Sequence, residues 1–148
     1  MSTPRTIPLA TYEAGMLQAA ANRNLTTFLT NALKSSNITI SEWSALGILA
    51  TAGDARPSDI ATTMDVKTPM ATRLIQSLLE KNLVAERKVS EDQRGKLIVL
   101  TKEGKKLLDE EELVVREGMR EYMKDVDRDD LVAYLKVVEY LARHQPKI

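Results

Sequence analysis

The stretch that decides the fold is Arg56–Gly104, which reads RPSDIATTMDVKTPMATRLIQSLLEKNLVAERKVSEDQRGKLIVLTKEG. It contains two helical patterns followed by two strand patterns that flank a charged turn. The first helix is predicted to open at Pro57, because proline at a helix start loses no intrahelical hydrogen bond, and to end at Asp65 after roughly two turns. A second helix is predicted to follow at once.

The second helix is predicted to begin at Thr68 and to run to about Lys81. Thr68 is the predicted N-cap, and Pro69 then occupies the first helical position. Four apolar residues recur at helical spacing on one side: Leu74, Ile75, Leu78 and Leu79. The opposite side carries Lys67, Met70, Thr72, Arg73, Gln76 and Ser77. This polar side is expected to face outward, where its groups can donate and accept hydrogen bonds.

The two strand patterns are Val84–Val89 and Lys96–Leu100, which are rich in β-branched residues and flank the polar turn 90–95. Their spacing predicts a hairpin with a longer loop. Helix, turn, helix and hairpin in this order form a winged helix-turn-helix, in which the second helix is the recognition helix and the hairpin is the wing.

Two segments of the stretch resemble the MarR family of bacterial transcription regulators. The segment TRLIQSLLEKNLVAER, residues 72–87, resembles the family's junction between recognition helix and strand. The segment DQRGKLIVLTKEG, residues 92–104, resembles its wing signature: Asp-x-Arg, an aliphatic strand, Leu-Thr, two residues and Gly. The matching positions are Asp92, Arg94, Leu100, Thr101 and Gly104. Helical patterns on both sides extend the resemblance over most of the 148 residues.

The resemblance implies a mainly α fold, a winged helix-turn-helix with an α/β wing hairpin and with dimerisation helices at both ends. We therefore expect a single domain over residues 1–148. Residues 36–104 would form the DNA-binding lobe, and residues 8–35 and 105–148 the dimerisation helices. A homodimer is expected because a two-fold axis would place two recognition helices about one turn of double-stranded DNA apart.

On the N-terminal side of the stretch, a helix with a broad apolar face is predicted over about Pro8–Leu33. Its apolar residues fit either simple core packing or part of a dimer interface. Thr39 and Glu42 match a capping box, which predicts the start of the next helix. Trp43 in that helix is expected to be structural.

On the C-terminal side, a strongly charged helix is predicted over about Lys102–Lys124, with Thr101 as its cap. A last helix is predicted to start within Asp127–Asp130, because carboxylates are stabilised near the positive end of the helix dipole. Both helices carry apolar stripes that need a partner surface.

The chain has 21 basic and 21 acidic residues, but the two kinds are unevenly distributed. Residues 1–55 carry 3 of each, residues 56–106 carry 11 basic and 7 acidic, and residues 107–148 carry 7 basic and 11 acidic. The neutrality is therefore a cancellation. A basic surplus falls on the part proposed to contact DNA, and an acidic surplus falls on the part that would be held away from phosphates.

Composition excludes several classes of site. The chain has no cysteine, which excludes disulfides, thiolate zinc sites and thiol-based sensing. A single histidine, His144, makes a metal site unexpected, and no cofactor is expected. No apolar run reaches the roughly 18 residues that span a bilayer, and the N-terminus lacks an apolar signal core, so no membrane partner and a cytoplasmic location are expected.

The predicted recognition helix has dimensions that suit the major groove. About 14 residues give a length of roughly 21 Å, and the groove is about 12 Å wide. The candidate DNA contacts on this helix are Lys67, Thr68, Met70, Thr72, Arg73 and Gln76. Arg73 could bind guanine, Gln76 adenine and Met70 a thymine methyl. Arg73 could instead bind a phosphate or form an intramolecular ion pair with Asp65 or Glu80.

The register of this helix departs from the family pattern at two positions. Asp65 stands where glycine is common, which is tolerable because Asp adopts left-handed dihedrals. Lys67 stands where a Ser or Thr cap often falls. A cap moved to Thr68 would shift the residues that face the groove by about one position.

In the wing, Arg94 is the leading candidate, because a guanidinium on a thin hairpin can enter a narrow minor groove. Arg94 could instead brace the wing. The resemblance implies a partly structural pair between Arg94 and Asp92, so Asp92 is assigned a structural role. Further candidate contacts are Lys88, Gln93 and Lys96, with Ser58 as an additional phosphate contact.

These features predict a sequence-specific transcriptional regulator, a repressor that binds a pseudo-palindromic operator as a homodimer. The resemblance also implies a small-molecule effector, often an anionic aromatic compound. The alternative is a winged helix used as a protein-interaction or assembly module, with the basic surplus as a solvated face. An enzyme is not expected, because no Gly-rich phosphate loop, nucleophile grouping or converging carboxylate pair is present.

Overall fold

A computed structural model describes residues 7–89 and 95–147. Within these ranges the chain is mainly helical, with one two-stranded antiparallel sheet. The elements are α1 Tyr12–Leu33, a short 3-10 helix Lys34–Ser36, α2 Ile40–Ala52, α3 Pro57–Met64, α4 Thr68–Glu80, β1 Val84–Lys88, β2 Lys96–Leu100, α5 Lys102–Tyr122 and α6 Arg128–Arg143. The predicted helix-turn-helix and hairpin are thus confirmed as α3, α4, β1 and β2.

The chain divides into two compact units between Val115 and Arg116, within α5. In the first unit, Leu33, Leu46, Ile60, Leu78 and Ile98 are the largest fully buried side chains, and they come from α1, α2, α3, α4 and β2. The second unit contains the end of α5 and all of α6, in which no residue is buried. Among the helices of the described ranges, none is both long and apolar enough to cross a membrane.

Local capping signals set the starts of several helices. The Thr39 hydroxyl accepts a hydrogen bond from the Glu42 N–H at 3.1 Å, and the Glu42 carboxylate accepts one from the Thr39 N–H at 3.0 Å. The predicted capping box is therefore confirmed. Asp65 ends α3 in the left-handed conformation, at φ 55° and ψ 48°, which aspartate tolerates at a position where glycine is common in the family.

The first helix starts later than predicted. Its N-cap is Thr11, whose hydroxyl accepts a hydrogen bond from the Ala14 N–H at 3.1 Å. Leu9, at φ 73°, lies in the left-handed region and interrupts any helix that would begin at Pro8. The apolar periodicity predicted the body of α1, but the cap and the backbone at Leu9 fix its start at Tyr12.

The predicted N-cap of the recognition helix is wrong by one residue. Lys67 is extended, at φ −75° and ψ 150°, and its carbonyl accepts hydrogen bonds from the N–H groups of Met70 and Ala71. Lys67 is therefore the N-cap, with Thr68 and Pro69 as the first two helical residues. Proline is tolerated there because the first four helical N–H groups have no intrahelical partner. The displacement of the reading register expected from a Thr68 cap does not occur.

Strand β2 forms backbone hydrogen bonds along both of its edges, one with β1 and one with Ala55 in the body of the first unit. On one edge, β1 and β2 pair from Val84 with Leu100 to Lys88 with Lys96. On the other, Ala55 and Ile98 exchange two backbone hydrogen bonds of 2.7 and 3.2 Å. Ile98 is only 1% exposed. The base of the wing is therefore held on a buried residue.

The segment Thr101–Gly104 closes the hairpin onto α5. The Thr101 hydroxyl accepts a hydrogen bond from the Gly104 N–H at 2.9 Å and donates one to the Asn82 carbonyl at 2.8 Å. Gly104 lies so close to the backbone of Leu83 that an added Cβ would overlap the Leu83 carbonyl oxygen. This contact is the physical reason for glycine at the end of the wing signature.

We expect Gly104→Ala to lower the free energy of unfolding by about 2 kcal/mol or more, because a backbone carbonyl rather than a flexible side chain must move. Urea denaturation followed by circular dichroism measures this loss. Gly47→Ala on α2 is the matched control, since no atom lies within 4 Å of a Cβ added there. The control should be neutral or stabilising by up to about 1 kcal/mol. Equal effects of the two substitutions would contradict the close-contact explanation.

Candidate nucleic-acid interface

The recognition helix α4 has a buried side and an opposite exposed side. Ala71, Ile75 and Leu78 form the buried stripe. The exposed residues include all six predicted contacts of this helix, Lys67, Thr68, Met70, Thr72, Arg73 and Gln76, which we call the reading face. At about 100° per residue, Arg73 and Gln76 lie nearly opposite the buried stripe. The structure thus presents the reading face to solvent, with Met70 at 58% exposure.

Arg73 does not form the intramolecular ion pair that was its structural alternative. Among the described residues, its guanidinium has no salt bridge with Asp65 or Glu80, and its side chain is exposed. A cation in this position can bind an external acceptor without breaking an internal contact.

The described part of the wing carries cations on both strands. Lys88 and Lys96 are directly opposite each other in the ladder, and both are exposed. Like charges in this arrangement destabilise a hairpin unless something neutralises them. Lys96 has one partner, Glu86, at 3.3 Å. Glu86 therefore offsets part of the repulsion between Lys88 and Lys96.

Three predicted wing residues, Asp92, Gln93 and Arg94, lie outside the described residues. A further cation near the wing was missed by the sequence analysis. The Arg56 guanidinium lies against Gly95, where an added Cβ would be 3.5 Å from Arg56 Nη2. No periodicity signals this contact, because Arg56 precedes α3 and meets the wing only in the folded chain.

A buried carboxylate forms hydrogen bonds to α4 near its C-terminal end. Glu42 is 3% exposed and accepts hydrogen bonds from the Ser77 hydroxyl at 3.0 Å and from Lys81 Nζ at 3.0 Å, in addition to its capping bond. Lys81 Nζ also donates to the Asn37 carbonyl at 2.7 Å. We call Glu42, Ser77, Lys81, Thr39 and Asn37 the Glu42 network. Ser77, which the sequence placed on the outer side, is therefore turned inward.

The Glu42 network changes the acidity of its carboxyl group. Burial by itself would raise the pKa of Glu42, because it disfavours the charged form. Hydrogen bonds from Lys81, the Thr39 N–H and Ser77, together with the positive charge of Lys81, outweigh burial and hold the pKa below its ordinary value of 4.5. The carboxylate is thus stabilised in its ionised form.

A cavity of about 370 Å³ lies within the first unit, between α2 and the first turns of α5. Its lining residues are Trp43, Ser44, Gly47, Ala50, Thr51, Lys105, Leu108, Asp109 and Glu112. Trp43 also packs against the hydrophobic core, in agreement with the structural role predicted for it. Lys105 Nζ is 2.6 Å from Asp109 Oδ1, so the charged rim is paired internally.

Comparisons with known proteins agree with the helix-turn-helix. The family model described as "MarR family" matches residues 38–96. The uncharacterized HTH-type transcriptional regulator YwoH of Bacillus subtilis (strain 168) is 35% identical over 94 residues, which cover 64% of this chain and 68% of YwoH. The HTH-type transcriptional regulator FarR of Neisseria gonorrhoeae is 33% identical over 101 residues, 68% of each chain. These relatives are described as regulators, not as enzymes.

Solved structures share the fold over most of the chain. AbsC, a MarR family transcriptional regulator from Streptomyces coelicolor, matches with a TM-score of 0.80 at 24% identity, covering 95% of this chain and 97% of AbsC. A mutant MarR from E. coli complexed with operator DNA matches with a TM-score of 0.77 at 22% identity, covering 91% and 94%. BpsR of Bordetella bronchiseptica, whose DNA binding is regulated by 6-hydroxynicotinic acid, matches with a TM-score of 0.79 at 16% identity, covering 95% and 99%.

Glu42→Gln should lower the free energy of unfolding by about 2 kcal/mol at pH 7, because charge-assisted hydrogen bonds are lost from a buried site. Since the folded state lowers the pKa of Glu42, the stabilisation is fully present above the ordinary value of 4.5 and is lost as pH falls through the folded-state pKa. Urea titrations of both proteins from pH 7 to pH 3 should therefore converge at low pH.

The control for this measurement is Asp109→Asn, which removes an exposed carboxylate of an i,i+4 pair. It should change stability by less than about 0.5 kcal/mol at pH 7. A Glu42→Gln deficit that stays constant down to pH 3 would contradict the stabilised ionised form.

Proposed function

This chain belongs to the MarR family, and from that premise we propose that it is a sequence-specific regulator that binds double-stranded DNA as a homodimer. In this proposal α4 enters the major groove and the wing enters the adjacent minor groove. The operator is pseudo-palindromic, and binding represses transcription. The observation that carries the proposal is the exposed reading face of α4, with the unpaired Arg73 side chain (among described residues) opposite a buried stripe.

Base reading is assigned to the reading face. Arg73 can donate two hydrogen bonds to guanine, and Gln76, about one turn further, can both donate to and accept from adenine. Met70 offers an apolar contact for a thymine methyl. Each good pair supplies about 1–3 kcal/mol of discrimination. Lys67, Thr68 and Thr72 flank these residues as backbone or base contacts.

The wing supplies the second set of contacts. The opposed Lys88 and Lys96 support phosphate binding, since a phosphate would relieve the repulsion between them. Arg94 is proposed to enter the minor groove or to brace the wing with Asp92, and Gln93 flanks it. Neutralising the phosphates beneath the wing would make binding strongly dependent on salt.

Dimerisation is supported separately by each unit. In the first unit, Tyr12, Met16 and Leu17 of α1 are 85%, 65% and 63% exposed. In the second, Leu135 and Tyr140 of α6 are 65% and 61% exposed. Exposed apolar faces of this kind mark interaction surfaces. We propose that residues 8–35 and 105–148 form the homodimer interface, with the winged-helix lobe at residues 36–104.

Regulation by a small molecule is the finer part of the proposal. We assign the effector to the cavity beside Trp43, where an aromatic ring can stack on the indole. Lys105 could pair with an anionic group of the effector in exchange for Asp109. An effector that favours a non-binding spacing of the recognition helices by about 2.7 kcal/mol would weaken DNA binding about 100-fold.

The DNA-binding proposal is tested with Arg73→Ala on duplexes from the upstream region of the gene. Affinity for a duplex with the inverted repeat should fall about 10-fold or more relative to a scrambled duplex, because one base contact is removed. The control is Lys102→Ala, which removes the same charge from an exposed position outside the reading face and outside the proposed dimer interface. With about six phosphate contacts, wild-type affinity should fall about 1,000-fold between about 50 and 200 mM salt. Binding without salt dependence, or unchanged by Arg73→Ala, would favour the protein-interaction alternative.

The homodimer is tested with Leu135→Asp. A carboxylate on the exposed apolar face of α6 should shift the protein from dimer to monomer in size-exclusion chromatography with light scattering, because the charge would be buried without a partner. Lys136→Glu introduces an acid one position further along and should leave the dimer intact. A wild-type monomer at micromolar concentration would refute the proposal directly.

A further inference from the structure

Apolar packing and polar contacts both act on the rotation of α4 about its axis. The helix is buried along the stripe Ala71, Ile75 and Leu78, and Leu74 and Leu79 are half-buried against the same core. Close packing limits rotation of the helix, but hydrophobic attraction is itself non-directional, so directional contacts add a separate constraint on the rotation angle. At a helix radius of about 5–6 Å, a rotation of about 20° moves a surface group by about 2 Å. That displacement exceeds the distance tolerance of a hydrogen bond to a base edge.

The Glu42 carboxylate supplies directional contacts to α4. Its Oε2 lies 3.0 Å from the Ser77 hydroxyl and 2.9 Å from Lys81 Nζ. Its Oε1 accepts from Lys81 Nζ and from the Thr39 N–H, both at 3.0 Å. Each oxygen therefore has two donors. The carboxylate is held at the start of α2 by Thr39 and reaches α4 at two successive turns.

Ser77 connects these contacts to the reading face. It follows Gln76 directly and lies four residues after Arg73. At about 100° per residue, it is offset from Arg73 by only about 40° around the helix. A hydrogen bond that fixes the angular position of Ser77 therefore fixes that of Arg73 and Gln76.

We propose that Glu42 is a positioning residue for DNA reading, which acts through Ser77 and Lys81 to fix the rotation of the recognition helix. The inference rests on the proposed DNA-binding function for its consequence, but the positioning itself is a property of the free protein. In some proteins, buried polar groups fix a unique arrangement of the elements that they join.

The positioning is tested without DNA by double spin labelling. The chain contains no cysteine, so Thr51→Cys on α2 and Glu80→Cys on α4 give two labelled sites without any background. Both positions are exposed and lie outside the reading face. Diluting labelled with unlabelled chain isolates the distance within one subunit. We expect a narrow distance distribution in the wild type and a broadened or shifted one with Glu42→Gln or Ser77→Ala.

Matched controls separate positioning from general loss of a buried group. Among the described residues, Glu111 is the other buried glutamate, also 3% exposed, and it accepts a hydrogen bond from Ser36 rather than from α4. Ser44 is half-buried on α2 but donates to the Ile40 carbonyl of its own helix at 2.8 Å. Glu111→Gln and Ser44→Ala should leave the distance distribution unchanged. An unchanged distribution with Glu42→Gln and Ser77→Ala would overturn the proposal.

The consequence for reading is measured as the ratio of affinities for the inverted-repeat and scrambled duplexes. Glu42→Gln should lower this ratio about 10-fold and Ser77→Ala about 3-fold, while affinity for the scrambled duplex stays constant. Ser77→Thr keeps the hydroxyl and should restore the ratio. A variant that is merely less stable has fewer active molecules and would lose both affinities equally.

The two proposals fail in different ways. If the wild type shows no preference for the inverted repeat, the proposed function fails, and the distance measurement still decides whether Glu42 fixes α4. If the distribution broadens with Glu42→Gln but the affinity ratio is unchanged, the rotation of α4 is immaterial to reading and the positioning role is refuted. Thermal unfolding by circular dichroism verifies that each variant is folded at the temperature used.

Discussion

The recognition helix must bury one side in the core and expose the opposite side to solvent, and the packing of the first unit satisfies this constraint. Leu78 of α4 is fully buried together with Leu46 of α2, Ile60 of α3 and Ile98 of β2. These side chains belong to one hydrophobic core cluster. Because this contact is non-directional, it sets how deeply α4 is buried. In our proposal, the rotation of α4 about its axis depends on the hydrogen bonds that Ser77 and Lys81 donate to Glu42.

The first unit contains a buried charge that is fully hydrogen-bonded and exposed charges that are not. Inside, the Glu42 carboxylate is satisfied by three donors, the Thr39 N–H, the Ser77 hydroxyl and Lys81 Nζ, and its ionised form is favoured despite burial. On the proposed DNA side, Lys88 faces Lys96 across the ladder. Arg73 has no ion pair within the described residues. Glu86 offsets part of the repulsion between the two lysines, and in the proposed complex a phosphate would offset the rest.

Local signals made most of the fold predictable. The capping box of Thr39 and Glu42 and the left-handed turn at Asp65 each depend on residues close in sequence, and both were predicted correctly. The cap at Thr68 was wrong because proline is tolerated at either of the first two helical positions, so it marks a helix start only to within a residue. The inward turn of Ser77 was missed because its partner is 35 residues away. A carboxylate also has more acceptor sites than one capping bond uses, and the sequence does not reveal the second role.

Gly104 lies against the Leu83 carbonyl, so the backbone just before β1 is in direct contact with the backbone just after β2. The two ends of the wing are thus held together at its base. Because the base is closed, the packing beneath the hairpin does not depend on the length of the hairpin. A change of length between Thr101 and Gly104 would open this base, whereas a change of length between Lys88 and Lys96 would leave it in place. The length of the wing can therefore change without a change in the packing of the helices beneath it.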